Sequence, residues 1–276
     1  MISASLLSFE RCVNMTEPLF VEERRRIILD KLAQEGRVTV NHLSETMGVS
    51  AVTIRQDLRT LEDEGLLERT YGGAVTNSQP RNVSELSFHV RAATRRREKE
   101  AIASVASRYI ENGMSVAIDC SSTAHSMVPY LKGFSKLTVF TNSLIIAQSL
   151  LDSPQIQVLM PGGRLRRDSI SLVGRLDGLP DINFNVGFYG TRGIAQIGGV
   201  TDVDADEVII KQAMVNRCAE NIIVADTTKW GQMAPYTFAR LDQVKRIITT
   251  HTAPNNIVDV ITEAGVLVEK VNPAEI

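Results

Sequence analysis

VTVNHLSETMGVSAVTIRQDLRTLEDEGLLERTYGGA, residues Val38 to Ala74, carries two short helical patterns that meet at Gly48-Val49-Ser50. The second pattern ends at Gly65, ahead of the hairpin-like run LLERTYGGAV. Helix, glycine turn, helix and short hairpin together read as a winged helix-turn-helix, a device that lays its second helix across the DNA major groove. Upstream, Ile27, Ile28, Leu32 and Ala33 form the apolar stripe of a helix expected over about Val21 to Gln34 and ended by Gly36. Arg37-Val38-Thr39-Val40 is short and β-prone, and Asn41 is the expected cap of the next helix, with Leu43 and Met47 one turn apart. Ser50 is the expected cap of the helix that follows, running to about Glu64.

At about 100° per residue that last helix has two faces. Ile54, Leu58 and Leu61 fall together, with Ala51 nearby, as a core stripe. Val52, Arg55, Gln56 and Arg59 lie opposite, flanked by Thr53 and Thr60. Arginine pairs with guanine, glutamine with adenine, and threonine or valine methyls with thymine. In the wing, Arg69 and Tyr71 suit phosphates, and Gly72-Gly73 lets backbone amides approach the sugar-phosphate chain. The candidate DNA-contacting set is therefore Ser50, Val52, Thr53, Arg55, Gln56, Arg59, Arg69, Tyr71, Gly72 and Gly73.

Bulk charge opposes this reading. The chain has a net charge of −2, and Val21 to Thr76 holds eight basic against ten acidic residues. DNA binding then requires charge sorted by face, and Glu62, Asp63 and Glu64 do collect at the far end of the helix. A solvated helix side is the plain alternative for Arg55 and Arg59.

A chain of 276 residues suits two domains. Composition is ordinary for a globular protein, at 43% hydrophobic and 22% charged, and no apolar run approaches a membrane span. The opening MISASLLSFERCVNM lacks a secretory cleavage site; residues 1–20 are expected to be a disordered extension, with Met15 an alternative start. Cys12, Cys120 and Cys218 are scattered and the four histidines isolated, so neither a disulfide framework nor a metal site is expected, and a reducing cytoplasm is the natural home. The expected domains are 21–76 for the DNA-binding module, 77–94 for a polar linker interrupted by Pro80, and 95–276 for a second domain. Asn77 to Ile110 holds seven basic and three acidic residues, including Arg95-Arg96-Arg97-Glu98-Lys99. Contact with DNA phosphates, a solvated helix face and an anchor for the linker all remain open for that stretch.

Beyond it, β-like runs (Ser115–Asp119, Leu137–Thr141, Ile156–Met160, Val186–Tyr189, Asn221–Asp226, Arg246–Thr249, Val266–Val271) alternate with helical stretches (Thr123–Leu131, Ser143–Asp152, Asp204–Cys218, Asn256–Glu263). That alternation indicates a parallel α/β sheet covered on both faces. Polar loops follow three strands: Asp119-Cys120-Ser121-Ser122-Thr123, Thr141-Asn142-Ser143 and Pro161-Gly162-Gly163-Arg164-Leu165-Arg166. Ligands of open parallel sheets sit at the strands' carboxyl ends, so hydroxyls, amides and Arg164 or Arg166 make a phosphate-sized site there, although such residues also serve merely as caps.

The N-terminal segment closely resembles the DeoR family of bacterial sugar-metabolism regulators at Val49-Ser50, Thr53-Ile54-Arg55, Asp57-Leu58, Leu61, Gly65 and Tyr71-Gly72-Gly73-Ala74. The resemblance continues through Asp119, Ser122 and Thr123; Thr141-Asn142-Ser143; Gly162-Gly163 with Leu165-Arg166; Gly174; Gly190 with Gly193-Ile194; Gly199 and Thr201; Glu207 and Lys211; and Asp226 with Lys229. It implies a sensor domain similar to ribose-phosphate isomerases and CoA transferases that binds a sugar phosphate and needs no cofactor. It also implies that Glu207 and Lys211 point toward the effector, the alternative being a plain i,i+4 salt bridge. The effector-contacting candidates are Asp119, Ser121, Ser122, Thr123, Thr141, Asn142, Ser143, Gly162, Gly163, Arg164, Arg166, Arg192, Glu207, Lys211 and Lys229.

The chain departs from the family pattern in three places. Many members carry a second arginine at Gln56, which affects operator choice. Glycine is common at Ser121, and a small residue followed by aspartate at Thr191-Arg192. An arginine in place of an acid favours a more anionic effector, such as a sugar acid or a doubly phosphorylated sugar. The expected partners are an operator duplex, bound as a homodimer or homotetramer, and a small phosphorylated metabolite; no membrane is expected. The expected function is repression of a carbohydrate-utilisation operon. The rivals are sugar-phosphate isomerisation with Glu207 as base, and an interaction protein without a DNA role.

Overall fold

The computed structural model describes residues 21–63, 67–75, 88–174 and 181–275. The expected N-terminal extension, the end of the recognition helix at Glu64 and Gly65, the side chain of Ala33 and most of the expected linker lie outside the described residues. Two compact units divide between Gln79 and Pro80.

The first unit runs α1 (Val21–Glu35), β1 (Arg37–Thr39), α2 (Val40–Met47), α3 (Ala51–Asp63), β2 (Glu68–Thr70) and β3 (Gly73–Val75). Its strands form an antiparallel sheet in the order β1-β3-β2, which is the wing. Ile28, Leu32, Leu43, Met47, Ile54, Leu58, Leu61 and Leu67 meet in one core. Each such side chain withdrawn from water contributes about 1.5–3 kcal/mol, enough in sum to fix three short helices. The α2 cap differs from expectation: Thr39, not Asn41, accepts the His42 amide, at 3.4 Å, because the helix begins two residues earlier than a cap at Asn41 requires. Gly48 closes α2 in the left-handed region at φ 64°, and the Ser44 hydroxyl donates to the Val49 carbonyl at 2.6 Å to hold the turn.

The second unit runs α4 (Phe88–Ala93), α5 (Arg96–Ala106), β4 (Ser115–Ile118), α6 (Ser122–His125), α7 (Val128–Leu131), β5 (Leu137–Thr141), α8 (Leu144–Ser149), β6 (Ile156–Leu159), β7 (Arg164–Arg166), β8 (Ser171–Val173), β9 (Phe184–Tyr189), β10 (Gly193–Ala195), β11 (Gly199–Asp202), α9 (Ala205–Val215), β12 (Cys218–Val224), β13 (Tyr236–Ala239), β14 (Arg246–Thr250), α10 (Asn255–Glu263) and β15 (Leu267–Val271). All seven runs read as strands join one parallel sheet, ordered β15-β14-β12-β9-β4-β5-β6. Alternation along each strand feeds two cores: Val116, Ile118, Ile222 and Val224 pack on one face, Ala117 and Ile223 on the other.

The hairpin β7-β8 and the antiparallel sheet β10-β11-β13 are additions the sequence reading did not contain. Helix α4 falls inside the stretch expected to be linker. Phe88 is buried edge-on against His125 with ring centroids 5.2 Å apart, and its N–H donates to the Asp168 carbonyl at 2.7 Å. The polar surroundings of Pro80 had masked this buried Phe88/Val90 pair. Among the described residues no helix is long and apolar enough to cross a membrane.

The chain proceeds from β4 outward through β5 to β6, then returns to place β9 on the other side of β4. The sheet therefore has its topological switch point between β4 and β9, and ligands of such sheets bind beyond the carboxyl ends of the strands there.

Candidate functional site

In the first unit, Ser50 caps α3, its hydroxyl accepting the Thr53 amide at 3.1 Å, while the Thr53 hydroxyl lies 2.9 Å from that of Ser50. Val52, Arg55, Gln56 and Arg59 are exposed on one side, and Thr53 and Thr60 half-buried beside them. Asp57, on the same helix, is turned inward: Arg24 Nε meets its Oδ2 at 2.8 Å and Arg25 Nε its Oδ1 at 3.3 Å, clamping α3 to α1. Glu62 is likewise engaged, accepting the Arg69 amide at 3.1 Å and lying 3.5 Å from its guanidinium. Two of the acids behind the unfavourable bulk charge are thus tied to arginines, and the exposed middle of α3 is left basic.

In the wing, Tyr71 stands fully exposed and Gly72 is open at φ 91°. Gly73 is not available to a backbone partner in the way its sequence suggested. It is buried and paired to Thr39 and Thr70, and a Cβ there would meet the Val38 carbonyl oxygen at 2.0 Å. Its glycine serves close strand approach.

In the second unit, one cavity of about 230 Å3 opens at the switch point. Its wall draws Ser121, Ser122 and Thr123 from the loop after β4, Gly190, Thr191 and Arg192 from the turn after β9, and Asp226, Thr228 and Lys229 from the loop after β12. Asp202 and α9 residues Glu207 and Lys211 contribute, and so do Arg91, Thr94, Arg95 and Lys99 from α4 and α5. Gly190 is required by crowding: a Cβ there would fall 2.3 Å from that of Ser121. Asp119 lies wholly buried beneath, accepting the Ser121 and Gly190 amides at 3.0 Å each and so fixing both loops.

Lys211 Nζ meets Asp202 Oδ2 at 2.6 Å, the Gly190 carbonyl at 2.8 Å and Asp119 Oδ2 at 2.9 Å. Burial pushes this ammonium's pKa down, but Asp119 and Asp202 outweigh it and hold it above the ordinary lysine value. Burial likewise opposes ionisation of Asp202, and Lys211 then Arg192 keep its pKa below the usual range. Glu207 and Lys211 both line the cavity but do not form the plain i,i+4 salt bridge: Lys211 pairs with Asp119 and Asp202, while Glu207 Oε1 takes Arg166 Nη1 at 2.8 Å. Burial pushes Glu207 up, yet Lys211, the Ser169 hydroxyl and Arg166 leave its pKa below the usual value.

Among the other cations, burial depresses Lys99 to about 8, its ammonium donating to the Arg91 and Thr94 carbonyls (2.7 Å to Thr94). Burial also lowers Lys229 and Arg192; Arg192, Arg91 and Arg95 add to the shift at Lys229, and Arg91 to that at Arg192. Six cationic side chains face three carboxylates across this wall, which suits an anion.

Several predicted effector residues stand elsewhere. Thr141, Asn142 and Ser143 end β5, outside the switch point; Ser143 caps α8 and Asn142 accepts the Leu172 amide at 2.8 Å. Gly163 abuts the Val173 carbonyl and, with Gly162, leads into the β7-β8 hairpin. Arg164 pairs with Asp206 at 2.5 Å, and Arg166 with Asp204 and Glu207, so these arginines brace α9 from outside the cavity. The basic stretch Arg95 to Lys99 resolves the opposite way, since its first and last residues enter the cavity wall. Arg91 and Thr94 were missed, having been read as linker.

Comparison with known proteins matches residues 24–80 to a DeoR-like helix-turn-helix domain and residues 94–251 to a DeoR C terminal sensor domain. The HTH-type transcriptional regulator GolR of Listeria innocua is 31% identical over 91% of this chain and 99% of its own length. The glycerol-3-phosphate regulon repressor of Escherichia coli is 29% identical over 90% of this chain and 98% of its own. Among solved structures, ribose 5-phosphate isomerase A from Methanocaldococcus jannaschii aligns with 48% of this chain and 53% of that one, at 13% identity and a TM-score of 0.35, a distant likeness.

Proposed function

The chain belongs to the DeoR family of DNA-binding transcriptional regulators, and from that premise we propose that it represses carbohydrate-utilisation genes under control of a phosphorylated sugar or sugar acid. The observation that carries the reading is the pairing, in one chain, of an exposed Arg55-Gln56-Arg59 face with a cation-lined cavity at a sheet switch point. The helix α3 reads base edges from Val52, Thr53, Arg55, Gln56 and Arg59, with Ser50 at its cap; Arg69, Tyr71 and Gly72 of the wing meet the backbone. Gly73 and Asp119 act by shaping their sites. The effector's phosphate is held by Ser121, Ser122 and Thr123 with Lys99 and Lys229, whose ammonium groups are point charges suited to it.

The protein binds symmetric half-sites as a homo-oligomer in the cytoplasm. Its effector shifts DNA affinity only by binding the DNA-free and DNA-bound states unequally; a coupling of about 1–3 kcal/mol corresponds to roughly 5–150-fold. Binding rather than isomerisation is supported at Glu207, since a carboxylate held below its usual pKa is a poor base for carbon acids.

A gel-shift with the gene's own upstream region tests the reading. Retarded duplex, released by a phosphorylated sugar or sugar acid, is the expected result. A protein that never retards it, or that turns over ribose 5-phosphate in a manner abolished by Glu207→Gln, overturns it.

A further inference from the structure

We propose that helix α4 carries the effector's presence to the DNA-binding unit: a bound effector seats α4 against the cavity, and the seated helix holds the end of the linker. The inference rests on the cavity's being the effector site.

Helix α4 is the first described element of its unit, and residues 76–87 join it to the last strand of the wing. Whatever fixes α4 therefore fixes where that connection ends. The helix and the turn after it also supply Arg91, Thr94 and Arg95 to the cavity wall, and α5 adds Lys99 one turn on. The loops after β4, β9 and β12, which line the same cavity, belong instead to the sheet.

The helix is anchored at its two ends. At its start the Phe88 N–H donates to the Asp168 carbonyl at 2.7 Å, between β7 and β8, and the Phe88 ring stands edge-on to His125 at 5.2 Å. The Arg91 guanidinium, 5.7 Å from that ring's centroid, shares in the anchorage. At its end the Lys99 ammonium donates to the Arg91 and Thr94 carbonyls, acceptors that a helix terminus leaves open. Two of the three Lys99 N–H donors are taken there, so an effector phosphate on the third completes a bridge from ligand to helix.

The turn between α4 and α5 holds Arg95 in the left-handed region at φ 54°, unfavourable for a residue with a side chain and kept only where its surroundings impose it. Its guanidinium pairs with Glu98 at 2.8 Å and its carbonyl accepts the Lys99 amide at 3.1 Å. A ligand that touches Thr94 and Lys99 grips both sides of this strained turn. A six-residue helix has too few internal hydrogen bonds to persist once its anchors are lost, so unseating α4 adds its residues to the linker. By linkage, an effector that binds the seated helix better seats it. Seating withdraws chain from the connection, and a shorter connection reaches fewer half-site spacings.

Hydrogen exchange on the full chain tests this, with inorganic phosphate, ribose 5-phosphate and glucose 6-phosphate as probes and calorimetry to establish which binds. The tightest binder is expected to slow exchange of the Phe88 to Arg95 amides by about tenfold or more. Unchanged exchange there, under a probe that binds and releases the operator, overturns the proposal and leaves the effector reading intact. Phe88→Ala separates coupling from contact, because Phe88 lies outside the cavity wall. With the cavity saturated in each protein, the factor by which the probe weakens operator binding is expected to fall at least about threefold in Phe88→Ala. Phe88→Leu is expected to restore most of it. Mere loss of effector contact would raise the probe concentration needed and leave that saturated factor unchanged; an unchanged factor overturns the proposal. Should Phe88→Ala not fold, the exchange measurement on wild type decides alone. Absence of any probe that both binds wild type and weakens its hold on the operator overturns the proposal and the effector reading together.

Discussion

In the N-terminal unit the groups offered to a partner stand in solvent: Arg55, Gln56 and Arg59 are exposed, while Asp57 of the same helix is turned inward onto Arg24 and Arg25. In the C-terminal unit the groups offered to a partner are walled in, and Lys99, Asp202, Glu207 and Lys211 are each buried at the cavity. A surface site separates recognition from folding, because its residues can be exchanged while the core beneath is untouched. A buried charged site shares its residues with the fold, since every ion there must be compensated. The two units should therefore answer mutation differently, and the largest difference lies at Lys211.

Lys211→Met removes the one ammonium bonded to both Asp119 and Asp202 and leaves two buried carboxylates facing each other. Breaking a buried ion pair from one side costs about 3–5 kcal/mol, which is expected as a lower urea midpoint for the C-terminal unit. The acid limb should move as well. Asp202 has its folded pKa depressed, so its contribution is present above the ordinary carboxylate pKa and lost as pH falls through the lower, folded value. Without Lys211 that loss begins at higher pH. An unchanged midpoint would break the comparison, because the ammonium would then belong to the ligand and not to the fold.

The same contrast governs what the sequence discloses. The recognition helix was legible because a surface site on a short helix declares itself through periodicity: Ile54, Leu58 and Leu61 mark one face, so Arg55 and Arg59 must occupy the other. The seven strands were legible because a parallel sheet covered on both faces needs apolar runs. Strand order was not, and it decides which polar loops meet. Ser121 to Thr123 and Thr141 to Ser143 read alike, yet β4 borders the switch point and β5 lies one strand outside it. Arg91 and Arg95 were hidden for the same reason, lying far in sequence from the strands whose ends they cover. Lys211 shows the converse limit: its helix position was evident, but its partners, Asp119 and Asp202, come from two different strand ends.

On the exposed side, Arg55→Ala should leave the urea midpoint of the N-terminal unit within about 0.5 kcal/mol of wild type, as befits a surface substitution. It should cost about 1–3 kcal/mol in DNA affinity and relax base preference at one operator position. An Arg55→Ala protein that binds every sequence as wild type does would place base reading on another face. Loss of folding stability would instead erase the distinction between the two units.

Lys99 sharpens the comparison through pH, because a buried cation can serve the ligand at the expense of the fold. Its folded pKa of about 8 lies below the ordinary lysine value of 10.5, so between these values the unfolded chain binds more protons. Stability of the ligand-free protein should therefore rise with pH across that window. Affinity for a phosphorylated probe should fall across the same window, by about tenfold, as the charge that meets the phosphate is lost. Denaturation and binding measured from pH 7 to 10.5 should show the two opposite slopes in wild type and both reduced in Lys99→Met, the remainder coming from Lys229, whose pKa burial also lowers. Identical slopes in both proteins would remove Lys99 from the site.

Arg69 should give the smallest effect, and it tests whether the wing belongs wholly to the surface class. Its amide donates to Glu62 at 3.1 Å and its guanidinium lies 3.5 Å from the same carboxylate, so one acid holds both backbone and side chain. With both side chains more than a third exposed, the ion pair is worth under about 1 kcal/mol, and Arg69→Ala should scarcely move the unfolding midpoint. If Arg69 leaves Glu62 for a phosphate on binding, Arg69→Ala should weaken all operators equally and lower the salt slope by about one unit. Glu62→Gln, which keeps an oxygen for the amide while releasing the guanidinium, should then strengthen DNA binding slightly. A salt slope unchanged in both variants would make the pair a brace between α3 and β2, and would leave phosphate contact in the wing to Tyr71 and Gly72.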